Sequence, residues 1–280
     1  MKNTLIILLI CLLGFSTYAQ EEIPAVDEPK PYEKNDFLPE AGDFAIGLEA
    51  TPFLNYIGNF FNGTNNNSLN LNDNTLYFRY YLSKDAAVRF AFQISSDGGS
   101  DEYYVRDDAA FFADPLSQEK VIDKYSYTDH YYHLRLGYQM FRSYKRFRGY
   151  FGGDLGYQYN QYQESFEYGN NMTELNPSPT NTWGYGAIRP LETSYGAEQG
   201  IGAGAFVGIE YYFMPKVCIG GEFGLSYYYY FEGQSYSTRE RMVVSQYVVE
   251  EIPTDPGENS WSLQTNFPYY FGNLYFMINF

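Results

Sequence analysis

Apolar side chains in this 280-residue chain return at every second position in one segment after another, from Asp43 to the last residue. A period of two describes a strand with one apolar face; an amphipathic helix would need a period near 3.6. The clearest segment is Ala87 to Ser95, where Val88, Phe90, Phe92 and Ile94 share one face and Arg89, Ala91, Gln93 and Ser95 the other. Leu76, Phe78, Tyr80 and Leu82 alternate in the same way with Tyr77, Arg79, Tyr81 and Ser83. Tyr132, Leu134, Leu136, Tyr138 and Met140 oppose His133, Arg135, Gly137 and Gln139. Ile201 to Tyr211 and Val217 to Leu225 continue the pattern against Gly- and Glu-bearing faces, and weaker copies begin at Phe44 and Tyr150. With a last strand from about Leu263 to Phe280, the pattern predicts eight strands.

The connections alternate in length. Lys84-Asp85-Ala86, Ser143 to Arg148 and Met214-Pro215-Lys216 are tight, whereas residues 56–74, 97–128, 161–195 and 233–262 are long and polar. Short turns at one end and long loops at the other are the pattern of an antiparallel up-and-down barrel in an outer membrane. An even strand count then leaves both chain ends on the turn side, in the periplasm.

A soluble barrel alternates too, with its apolar face inside. Two features favour the membrane alternative. The polar faces are crowded with Gly and carry no Lys, a poor composition for a surface in water. Aromatics also gather at both strand ends, with Tyr227 to Phe231 and Tyr269 to Phe271 on the loop side and Tyr80-Tyr81 and Tyr211 to Phe213 on the turn side. Amphipathic rings collect at the two membrane–water boundaries. A chain that is 20% aromatic, with 32 Tyr and 23 Phe beside 26 Gly, suits a wall in which only alternate residues face lipid.

The first nineteen residues read as a Sec signal peptide: Lys2, then the apolar run Leu5 to Phe15, then a small residue, Ala19, before the cut. That run is too short to span a bilayer as a helix, and no later stretch of 18 apolar residues follows. Cys11 leaves with the signal, so only Cys218 remains and no intramolecular disulfide can form. Residues 20–42, acidic and Pro-rich, read as a flexible periplasmic leader, and residues 43–280 as one barrel domain. Net charge is −16, and −17 once Lys2 is removed, which argues against nucleic acid as a partner.

The chain closes on Tyr275-Phe276-Met277-Ile278-Asn279-Phe280. Here it resembles the eight-stranded outer-membrane barrels of the OmpA/OmpX type, over everything from about Asp43 onward. The resemblance implies that the last strand, with Gly272, Leu274, Phe276, Ile278 and Phe280 toward lipid, is the signal read by the barrel-assembly machinery. The Ala19-Gln20 junction and the Tyr/Asn-rich loops also resemble barrels of the Bacteroidota. The sequence shows no peptidoglycan-binding domain after the barrel.

The inward face carries Glu49, Arg79, Arg89, Arg135, Asp154, Glu210 and Glu222. Charges of both signs inside a narrow eight-strand barrel are expected to pair and fill it, since an unpaired buried charge is costly. The competing reading is a gated pore or proton path. His130 and His133 lie three apart, on opposite faces of a strand, and make no joint metal site. No Ser accompanies His133 along its strand, so the nucleophile–base pattern of a lipid-modifying enzyme is not seen. The loop acids Asp97, Asp101, Glu102, Asp107 and Asp108 lack the spacing of a calcium loop. Arg142 to Arg148, with four bases, reads either as a turn facing anionic headgroups or as one kept soluble by its charge. Apolar content returns in Arg239 to Ile252, which reads either as strands rising above the membrane and offering an edge to a protein partner or as a packed hairpin with no partner. No cofactor is expected. These features favour a closed structural or interaction barrel at the cell surface over a narrow diffusion channel, and do not separate it from an accessory subunit of a secretion or uptake complex.

Overall fold

The computed structural model describes residues 36–50, 53, 56–57, 75–265 and 273–280. Among them are twelve strands, all paired antiparallel in one sheet. Eight form a closed ring: β1 (Phe44–Glu49), β2 (Thr75–Ser83), β3 (Ala86–Arg106), β4 (Lys120–Tyr144), β5 (Phe147–Glu167), β7 (Glu198–Met214), β8 (Val217–Glu232) and β12 (Asn273–Asn279). The ring closes where β1 meets both β2 and β12, with Ile46 opposite Phe78 on one side and Ile278 on the other. The remaining four, β6 (Ile188–Ser194), β9 (Tyr236–Val243), β10 (Gln246–Pro253) and β11 (Ser260–Thr265), all lie on the loop side.

The wall is inverted relative to a water-soluble barrel. Leu136, Leu155, Ile201, Val207, Ile209 and Phe223 are each about half exposed or more on the outside, while Arg79, Arg89, Asp154, Glu210 and Glu222 are buried within. An apolar exterior around a charged interior is stable only when lipid covers the outside. On β4 the apolar outer positions run from Tyr132 to Met140, about the 9–11 residues a tilted strand needs to cross a bilayer.

Several boundaries differ from the expectation. β3, β4 and β5 continue well past the membrane band, so the segment expected as a loop over 97–128 is strand except for a short helix, α1 (Asp108–Ala113), and its flanks. β6 docks on β5 through Gln163–Ser165, β9 on β6, and β10 on β9, building a sheet that stands above one side of the barrel. The last strand is divided: β11 and β12 both pair with β8, the first at Leu225–Tyr230 and the second at Val217–Glu222. The segment 266–272 between them, with Gly272, lies outside the described residues.

The leader is not flexible throughout. From Asp36 on it packs beneath the turn side of the ring: Leu38 joins the buried core, Phe37 O accepts from Lys216 N at 3.0 Å, and Gly42 N donates to Tyr81 O at 2.8 Å. Lys216 also pairs with Asp43, and the Arg146 guanidinium lies 3.9 Å over the Phe37 ring. Residues 1–35, which hold the expected signal peptide and the rest of the expected leader, lie outside the described residues.

Candidate functional site: the filled lumen and its outer cap

Alternation sends every second residue of eight strands into the same narrow space, and their chemistry decides what that space holds. Arg89, from β3, reaches across the lumen to two carboxylates. Its guanidinium donates to Asp154 at 2.6 Å and to both Glu222 oxygens at 2.5 and 3.1 Å. One step toward the turns, Arg79 pairs with Glu210 and donates to the Tyr275 hydroxyl at 3.0 Å. Tyr275 and Tyr212 donate to the two oxygens of Glu210 at 2.7 and 3.0 Å, and Tyr150 donates to Glu222 at 3.2 Å. Each carboxylate thus accepts from a guanidinium, and two accept from tyrosines as well, which offsets the cost of taking these charges out of water. Arg89 also rests 3.4 Å over the Phe206 ring.

Arg135 points inward on the same face of β4 as His133 and is 6% exposed, but neither of these ion pairs includes it. Glu49 sits half-buried at the loop-side end of β1. His133 Nε2 contacts the Tyr228 hydroxyl at 2.8 Å, while His130 faces outward with its Nδ1 2.9 Å from Ser96 Oγ. That Ser–His contact joins neighbouring strands and escapes any search along one strand. Among the described residues no carboxylate hydrogen-bonds His130, and the N–H groups around it are committed to the β-ladder.

The close fit explains why Gly and Tyr are abundant together. A Cβ on Gly208 would fall 2.2 Å from the Tyr150 ring, and one on Gly220 2.3 Å from the Tyr275 ring. Only a bare backbone lets these rings lie flat across the inner wall. The tyrosines grouped as membrane belts divide accordingly: Tyr80, Tyr211, Tyr227 and Tyr229 face outward, but Tyr81, Tyr212, Tyr228 and Tyr230 are buried inside.

Arg148, read as a headgroup-facing turn base, is fully buried. It closes the turn end of the lumen, 3.6 Å over the Phe141 ring and donating to Lys84 O at 2.6 Å. Counting back by twos from Asp154 reaches Tyr150 and Arg148, so the phase was available in the sequence. Of the residues expected to form an assembly signal, Leu274, Phe276 and Ile278 alternate on β12 with the buried Tyr275, Met277 and Asn279, and Phe280 follows the strand, exposed.

At the loop-side mouth the inner face turns acidic. Asp97 stands directly opposite Asp129, and Glu198 directly opposite Glu232. Like charges in cross-strand register repel. Beyond the mouth, residues 168–187 are tied down by side chains that accept from, or donate to, backbone. Asp108 accepts from Thr180 N at 2.7 Å and the Asn176 amide at 2.9 Å, and pairs with Arg106 at 3.0 Å. Asp123 accepts from Gly169 N and Thr182 N at 2.9 and 2.8 Å. Arg189 pairs with Glu240, donates to Asn170 O at 3.0 Å and lies 4.0 Å over Tyr168. Burial alone would raise the Asp108 pKa, but the Thr180, Asn176 and Arg106 donors outweigh it and hold it at about 2. These anchors make a folded cap of what reads in sequence as acidic loop.

No family model matches the chain, and no curated protein matches it significantly. Two solved structures are similar in outline. One is a major outer membrane protein from Thermus thermophilus, at 13% identity over 86% of this chain and 100% of that chain, with a TM-score of 0.38. The other is the outer membrane protein OprG from Pseudomonas aeruginosa, at 11% identity over 87% of this chain and 98% of that chain, with a TM-score of 0.30. At these scores the likeness is loose, and the barrel architecture stands on the closed strand pairing and the inverted wall.

Proposed function

We propose that this protein is an integral outer-membrane barrel whose lumen is closed and whose role is structural or interactive at the cell surface, with the cap as its external face. The observation that carries this reading is the Arg89 bridge: one guanidinium spans the lumen to Asp154 and Glu222, with the Arg79–Glu210 pair and Arg148 stacked beneath it. A water-filled path would need these groups apart. Outer-membrane lipid covers the wall, and the barrel-assembly machinery recognises the β12 face that ends in Phe280. A cleaved signal peptide and a non-enzymatic role belong to the same reading.

Planar-bilayer recording on the purified protein tests it. Silence is expected; stable, large, ohmic steps would replace it with the narrow diffusion channel. The second side of β10, unpaired among the described residues, favours one further role, as an accessory subunit whose partner adds a strand there. Co-purification of a stoichiometric protein from native membranes, lost when β9 and β10 are deleted, is its expected signature.

A further inference from the structure

The outer face of β3, β4 and β5 changes character along a single seam. At the foot of a groove of about 490 Å³, Phe92, Leu134 and Tyr157 present apolar surface at the top of the membrane band. Above them Tyr132 and Tyr159 stack at 5.8 Å, and His130 stacks on Tyr132 at 6.4 Å. Higher still, a second groove of about 200 Å³ is lined by Ser126, Tyr127, Thr128, Gln163, Glu164 and Ser165. Apolar, aromatic and polar zones thus follow one another along the strands, in the order met by a lipid standing in the outer leaflet.

Charge narrows the headgroup. On the outward positions of these three strands no Lys or Arg occurs between Arg142, beside the turn, and Lys124. Lys124 itself is flanked in register by Glu102 and Glu167 and pairs with the latter at 3.7 Å. Glu192 adds a further carboxylate, accepting from the Gln163 amide. Among the described residues a phosphate would find acids there and no cation but the paired Lys124, whereas hydroxyls find several acceptors. We infer that this seam binds a membrane lipid with an uncharged, hydroxyl-rich glycosyl headgroup. Its acyl chain lies on Phe92 and Leu134, a sugar face covers the Tyr132–Tyr159 pair, and further hydroxyls meet Thr128 and Gln163. The inference rests on the membrane reading of the wall.

The test uses the full-length barrel and two probes with the same acyl chains, monogalactosyl diacylglycerol and phosphatidylglycerol. Flotation with liposomes comes first: a protein that does not float overturns the membrane reading and the site with it. Lipid titration followed by native mass spectrometry then compares the probes. The galactolipid is expected to bind roughly tenfold more tightly, a difference of about 1.4 kcal/mol. In Tyr132→Ala/Tyr159→Ala that preference should disappear, while Tyr227→Ala/Tyr229→Ala, on another part of the wall, should keep it. Thr128→Lys/Gln163→Lys, which spares the aromatic pair, should turn the preference toward phosphatidylglycerol. A floating barrel that holds both lipids equally, or prefers the phospholipid, overturns the site alone. So does a preference that survives both groove variants.

Discussion

Arg89→Met is the most informative single change in the lumen. Methionine keeps the aliphatic stem but loses the guanidinium's place over Phe206 and, among the described residues, the one cation that joins Asp154 and Glu222, whose side chains are 2% and 3% exposed. Breaking a buried pair by deleting one partner costs about 3–5 kcal/mol, because the other charge is left in place. Here two carboxylates are stranded together, so the upper half of that range is expected. Arg79→Met should cost less, about 2–3 kcal/mol, because Glu210 keeps the Tyr212 and Tyr275 hydroxyls. Urea titration in lipid vesicles, read from the heat-modifiable band, measures both. The triple variant Arg89→Met/Asp154→Asn/Glu222→Gln leaves no charge at the site and should recover about half the loss or more. An Arg89→Met barrel within about 0.5 kcal/mol of wild type, the usual range for an uninvolved surface position, would refute the ion-paired lumen. Failure of the triple variant to recover would do the same.

Three other outcomes follow from the packing, the cap and one turn. Gly220→Ala should destabilise the barrel by about 1–3 kcal/mol, since its methyl would meet the Tyr275 ring; Gly233→Ala, with no atom nearer than 3.5 Å, should be mild in the same titration. Asp108 has a folded pKa of about 2, below its unfolded value of 3.8, so its contribution is complete above pH 4 and lost as pH falls through 2. For a side chain only 4% exposed, that difference is worth about 2 kcal/mol. Asp108→Asn should open residues 168–187 to protease at neutral pH while heat-modifiability persists. Val244 and Ser245 both have positive φ, 46° and 65°, at the β9–β10 turn. Val244→Asn/Ser245→Gly should relieve about 1–2 kcal/mol per residue, slowing amide exchange across that hairpin; unchanged exchange would count against the strain.

Within the membrane band the sequence was a reliable guide, because one face met lipid and the other a packed interior, and that contrast writes itself as alternation. Past Ser95 both faces of β3 are wet, and Ser96-Asp97-Gly98-Gly99-Ser100 carries no period although the strand runs to Arg106. Residues 168–187 are invisible to periodicity for another reason: Asp108 of α1, Asp123 of β4 and Arg189 of β6 hold them by a few side-chain bonds from outside the segment. Tyrosine was ambiguous, since its ring and hydroxyl suit a membrane boundary and a polar lumen equally well. Tyr227 and Tyr228 separate only when the strand phase is applied to each ring. Of the charged interior, the residues were legible and their pairing was not, because the choice of Glu210 for Arg79 and Glu222 for Arg89 depends on shear between strands far apart in sequence.

The segment from Phe37 to Asp43 touches three separate turns, through Tyr81, Arg146 and Lys216. Tyr81 belongs to the strand beside β1, but Lys216 is brought to Phe37 and Asp43 only when the ring shuts, so the segment is incompletely held while the wall is still open. Its contacts therefore belong after the rate-limiting step, and weakening them should hasten unfolding while leaving the folding rate alone. A fluorophore at Phe37 would then report the moment of closure, separately from the growth of the strands, and turn this short segment into a clock for the barrel's last event.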